Sequence, residues 1–134
     1  MSNQAKVVVA YLDGRRLKGH TNDFSPLRDH FFLFPEGVDP KPGARGIPVR
    51  ADELKAVFFV KDFAGKPGHR EAPAPFQPVG KKIGVIFADG EKLIGSSVAY
   101  NPKSLGFFMQ PANPTDNNER IFVINQNVKQ VNVL

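Results

Sequence analysis

The sequence predicts an all-β protein built as two tandem five-stranded small barrels related by internal duplication. Three observations predict it. Residues 11–19 read YLDGRRLKG and residues 87–95 read FADGEKLIG, so one chain carries nearly the same phrase twice. Each copy holds an Asp-Gly pair between β-branched and apolar runs, a strong short-range hairpin signal. Gly and Pro number 12 each in 134 residues, the punctuation of short strands joined by turns.

The duplication extends well past that phrase. Setting residues 6–35 against 82–111 without a gap gives ten identities, among them Asp13/Asp89, Gly14/Gly90, Leu17/Leu93, Gly19/Gly95, Phe31/Phe107 and Phe32/Phe108; chance at average composition gives about two. Further along, the offset falls from 76 to 74, pairing Ile47-Pro48-Val49 with Ile121-Phe122-Val123. The change falls in PEGVDPKPGARG, a loop composition that tolerates differences in length. The chain therefore divides into a first barrel over residues 1–63, a Pro/Gly-rich linker over 64–80 and a second barrel over 81–134.

In each unit the first strand (Lys6–Leu12, Lys82–Phe87) is rich in β-branched residues and ends at Asp-Gly. A two-residue type I′ turn is expected there, with positive φ at both central residues. The second strand contains Gly19 or Gly95, and a mid-strand glycine marks a bulge or tight bend. Leu17 and Leu93 point inward. The third strands are His30–Phe34 and Gly106–Gln110, the fourth Gly46–Val49 and Glu119–Ile124. Tight turns at Arg50–Glu53 and Asn125–Asn127 lead into the fifth, Leu54–Asp62 and Lys129–Leu134.

Two of these strands do not alternate. Phe31-Phe32-Leu33-Phe34 and Ala56-Val57-Phe58-Phe59-Val60 are apolar on both faces, which calls for cover on both sides. A small barrel has one interior, so the second face needs the other unit, docked about a pseudo-twofold axis, or a partner chain. The first unit carries more of this excess: Phe34 aligns with Gln110 and Phe58 with Asn132. Phe32, Phe34 and Phe58 are thus the candidate partner surface.

Composition narrows the classes further. Apolar residues make up 41% and charged residues 23%, as in a globular protein. No apolar run approaches the roughly 20 residues of a membrane span, and MSNQAKVVVA lacks the apolar segment of a signal peptide. There is no Cys, so disulfides and thiolate metal sites are excluded. These features point to the cytoplasm. The net charge of +5 is spread along the chain rather than gathered in a stripe.

The run Tyr11–Gly19, the aromatic strand after the Asp23–Asp29 loop and the closing turn-plus-strand resemble the Sm-like fold, a variant of the SH3-like barrel. Each repeat covers one such barrel. The RNA-reading positions of that fold are not carried over, because Asp29-His30 and Leu105-Gly106 stand in the first motif and Arg50-Ala51 and Asn125-Gln126 in the second. Across most of the chain the pattern resembles an uncharacterised bacterial family with DGR.LKG, DFSP, ELKAVFFVKDF.G, a second DGE.L.G, GFF..P and NN.RIFV. Here these are Asp13–Gly19, Asp23–Pro26, Glu53–Gly65, Asp89–Gly95, Gly106–Pro111 and Asn117–Val123. That resemblance implies a regulatory or signalling context and assigns no catalytic residue.

His20, His30 and His69 lack ligand spacing. Asp23, Ser25 and His30 have the residue types of a nucleophile, base and orienter, but the second repeat has Ala99, Asn101 and Gly106 there. An Asx-type turn before Pro26 is expected instead. No catalytic, metal or cofactor site and no small-molecule substrate is evident. The expected function is a non-enzymatic module that binds a protein partner or itself, with bacterial regulation or signalling as its expected context. The alternative is a nucleic-acid-binding module with Arg28, Arg45, Arg50 and Lys55 on phosphates, whose affinity falls steeply with salt.

Overall fold

A computed structural model describes residues 5–36, 46–60, 80–111 and 118–134. Apart from two single 3₁₀ turns, the regular structure among these is all strand: β1 (Ala5–Tyr11), β2 (Arg16–Thr21), β3 (His30–Pro35), β4 (Ile47–Arg50), β5 (Leu54–Val60), β6 (Lys81–Phe87), β7 (Lys92–Ser97), β8 (Gly106–Pro111), β9 (Asn118–Ile124) and β10 (Val128–Val133). The 3₁₀ turns, Ala51–Glu53 and Asn125–Asn127, precede β5 and β10. Their separation of 74 residues, and that of 76 between β1 and β6, are the two offsets of the repeat. Most of the linker lies outside the described residues, as does Arg45.

The ten strands form one antiparallel sheet in the order β10-β6-β7-β8-β9-β5-β1-β2-β3-β4. Each half reads fifth, first, second, third, fourth. Among the described residues no pairing closes either set of five into a separate barrel. The halves meet instead through β5 and β9, with Ala56 opposite Val123, Val57 opposite Phe122 and Phe58 opposite Ile121. This corrects the expected pseudo-twofold docking. A twofold axis would bring equivalent strands together, whereas here the fifth strand of one half meets the fourth of the other, a head-to-tail joint.

The joint explains why the Ala56–Val60 run is apolar on both faces. Val57 and Phe59 enter a core with Val7, Val9, Phe31, Leu33 and Val49 of the first half, joined by Phe122 and Ile124 of the second. Ala56 enters the other core with Ile83, Val85, Phe87, Phe107, Met109, Ile121 and Val123, and Phe58 packs against it. Thus β5 and β9 each serve both cores, one face apiece. The first core joins β3 and β4 to β1 and β5, so the five-strand half folds over on itself. Leu17 and Leu93 pack against the first and second core respectively, the inward direction expected.

The hairpins differ from expectation in their turn type. Gly14 and Gly90 have positive φ, 94° and 91°, and among the described residues no non-glycine residue does. Tyr11 N–H donates to the Arg15 carbonyl and Gly14 N–H to the Tyr11 carbonyl. The loop is therefore Leu12-Asp13-Gly14, a type I turn closed by a left-handed glycine, and Phe87–Glu91 repeats it. Asp13 stays in ordinary φ because its carboxylate accepts the Arg15 N–H. The mid-strand glycines act through close approach: a Cβ at Gly19 or Gly95 would run into the backbone carbonyl of Phe34 or Gln110.

Candidate functional site

The aromatic surface residues separate in the structure. Phe58 packs at the joint, half-buried, with the Arg16 guanidinium 5.8 Å from its ring centroid. Phe34 is half-buried opposite His20. Phe32 is 38% exposed, edge-on to the His30 ring at 6.1 Å and opposite Pro48 on β4. The corresponding residues of the second half, Phe108 and Phe122, meet each other at 5.0 Å. Phe24 of the first half seals them, with centroids at 6.0 and 5.2 Å. A surface covered in one half is left open in the other.

The basic residues do not share one environment. Arg28 is exposed on the 23–29 loop. Arg50 is exposed and its guanidinium lies 3.1 Å from the Asp52 carboxylate. Lys55 is buried at the joint. Its ammonium donates to Asp89 at 2.8 Å and to Glu91, and sits 5.0 Å from the Phe87 ring centroid. Burial pulls the Lys55 pKa down, but the hydrogen bonds it donates to Asp89 and Glu91, with their negative charge, outweigh that and leave it raised. The same bond from Lys55 holds Asp89 below the usual carboxylate range. Lys55 thus ties the first half to the β6–β7 turn, and Asn127 reinforces that tie by donating to the Leu54 carbonyl at 2.6 Å.

The Asp23–His30 loop is structural in its bonding. Asp23 accepts from the Thr21 hydroxyl and the Phe32 N–H, Ser25 Oγ accepts the Leu27 N–H, and His30 Nδ1 lies 2.9 Å from Asp29 Oδ1. That last contact lowers the Asp29 pKa. Ser25 therefore forms a turn, and the Asp23 oxygen engages backbone and Thr21 rather than His30. Among the described residues no three metal-ligating side chains gather.

A cleft that the sequence did not single out lies on the outer face of the second half. It encloses about 320 Å³ between the end of β7, β8 and Arg120. Strand alternation places Ser96, Phe108 and Arg120 on that face, and Val98 lines the cleft just past the end of β7. The Arg120 guanidinium stacks on Phe59 and Phe108, 4.5 and 4.6 Å from their centroids. Ser96 is 1% exposed and its hydroxyl has no hydrogen-bond partner. The neighbouring Ser97 hydroxyl, in contrast, donates to the Phe108 carbonyl and accepts the Ala99 N–H. The available signal was divergence between repeats, since Ser96 and Arg120 align with His20 and Gly46.

These features define a duplicated all-β protein, one antiparallel sheet whose halves are joined head to tail. The chain belongs to a protein family of unknown function, DUF6982, whose model matches residues 3–134. No curated protein and no solved structure gives a significant match. No helix among the described residues is long and apolar enough to cross a membrane.

Proposed function

We propose that the protein is a non-enzymatic binding module whose first half presents a docking face to a protein partner or to a second copy. One observation carries this reading. Phe108 and Phe122 in the second half are covered by aromatic residues of the first, while their counterparts Phe32 and Pro48 are exposed. Ile47, also exposed, extends that face. Burying one Phe side chain contributes roughly 1.5–3 kcal/mol, so a partner that covers Phe32 gains what the first half already supplies around Phe108. In this reading each set of five strands is a small Sm-like or SH3-like barrel, and the cytoplasm of a bacterium is its setting.

The test is mass in solution and capture of partners from a native lysate, comparing wild type with Phe32→Asp. Phe32→Asp is expected to abolish self-association or lose a specific captured protein while keeping its melting temperature within a few degrees. Identical behaviour of the two proteins refutes the reading. A parallel titration with single-stranded RNA and DNA at two salt concentrations addresses the nucleic-acid alternative, which predicts tight binding only at low salt.

A further inference from the structure

We infer that the cleft between β7, β8 and Arg120 binds an organic carboxylate carrying a short branched apolar body. This goes beyond the docking face around Phe32 and does not depend on it.

The first support is the arginine. Its guanidinium plane is held by two aromatic faces, and no carboxylate among the described residues pairs with it. An arginine stacked in this way has one face desolvated and its rotamer restricted, while its N–H groups at the edge remain available. Such an edge matches a planar carboxylate bidentately.

The second is Ser96. A buried hydroxyl without a partner is unfavourable and uncommon. Here it sits beside a fully bonded Ser97 on the strand that lines the cleft. A bound carboxylate oxygen accepting from Ser96 Oγ would satisfy it. The third is the apolar share of the remaining lining, Val98, Ala99, Phe108 and Met109, beside which Gln110 adds one polar side chain. About 320 Å³ is at the small end of ligand pockets, room for a leucine-sized group with its carboxylate rather than for a nucleotide. The net charge of +5 favours an anion. A free acid and the C-terminal residue of a peptide share this chemistry.

The test titrates the full-length protein, followed by amide NMR, with 4-methylpentanoate, N-acetyl-leucine and N-acetyl-leucinamide. The expected result is saturable shifts confined to residues 96–99, 108–110 and 120 with the two acids, and at least tenfold weaker binding of the amide. Similar affinity for both acids identifies a free-acid site; at least tenfold preference for N-acetyl-leucine identifies a peptide C-terminus. Arg120→Gln is expected to weaken acid binding at least tenfold. Ser96→Val is expected to weaken it at least fivefold while its melting temperature equals or exceeds that of wild type, because it removes the unpartnered hydroxyl. That pairing separates a ligand role from a structural one even where Arg120→Gln fails to fold. Equal binding of acid and amide, shifts elsewhere, no saturable binding, or undiminished affinity in Ser96→Val overturns the proposal.

Discussion

Removing the two partners of Lys55 is expected to damage the protein more than removing Lys55 itself. The Lys55 side chain is 7% exposed, whereas Asp89 and Glu91 are 38% and 46% exposed. In Asp89→Asn/Glu91→Gln the ammonium stays at the joint between the halves without a counter-charge and cannot rehydrate. Breaking a fully buried pair in this way costs about 3–5 kcal/mol. Discounting for the exposure of the carboxylates, whose pairs with solvent access are worth about 0–1 kcal/mol, gives about 2 kcal/mol here. In Lys55→Met the carboxylates turn to water and a thioether of similar length packs against Phe87, so the change stays within about 1 kcal/mol of wild type and of either sign.

Asn at 89 keeps the side-chain oxygen that accepts the Glu91 N–H, so the hairpin turn is preserved and the comparison isolates the charge. Urea denaturation with a shared m value measures both variants, since m tracks the surface exposed on unfolding. A loss above about 2 kcal/mol in Lys55→Met together with a neutral double carboxylate variant would refute the reasoning. It would mean that the carboxylates, not the ammonium, are the groups stranded by the loss of a partner.

The same cluster sets a pH window. The Asp89 pKa is lowered in the folded state, so its contribution is present above the unfolded carboxylate value near 4 and is lost as pH falls through the lower folded value. Lys55 is raised, so its contribution is complete below about 10.4 and is lost as pH rises through the folded value; a melting-temperature series from pH 2 to 11 should show this plateau, and in Lys55→Met both shoulders should shrink. Gly95→Ala, whose Cβ meets the Gln110 backbone, should destabilise by more than about 2 kcal/mol in urea, with Gly19→Ala behaving alike. Phe122→Ala, fully buried where both halves meet, should cost about 3–5 kcal/mol, while Phe32→Ala should cost under about 1 kcal/mol. The fourfold variant Pro48→Phe/Arg50→Ile/Gln130→Ala/Asn132→Phe should gain concentration-dependent self-association by sedimentation that wild type lacks at the sheet edges.

The strands were legible because a duplicated sequence supplies its own alignment. Two copies that keep Gly19 and Gly95 at one offset, and turns before Leu54 and Val128 at the other, fix ten elements with little ambiguity. The apolar double-faced β5 correctly announced cover by the other half. What could not be read was the order of pairing. Hydrophobic pattern says that Val57 and Phe58 are both buried but not against which strand, so a twofold and a head-to-tail joint look alike in the sequence. The turn type was missed for a local reason. Asp-Gly suits a two-residue loop as well as a three-residue one, and the choice rests on whether Asp13 must take positive φ. Lys55 resembled a surface cation because its partners lie 34 and 36 residues away, and the cleft at Ser96 arises where the second copy departs from the first.

The joint also bears on the two ends of the sheet. A head-to-tail pairing leaves a fourth strand, β4, and a fifth strand, β10, at the two ends of the sheet with no further strand beside them among the described residues, and such edges are templates for further addition. The joint itself is lined by Ala56, Phe58, Phe122 and Ile124. At the free ends the aligned residues are Gln130, Asn132, Pro48 and Arg50. Proline brings no N–H to an incoming strand, and Gln130 and Asn132 bond to each other at 2.6 Å. The free edges therefore repeat the backbone of the joint with polar side chains or proline at four positions where the joint is apolar. Phe32 lies one strand in from β4, on the face rather than the edge. A partner that uses it meets side chains and does not need to extend the sheet, which reconciles an exposed phenylalanine with guarded edges.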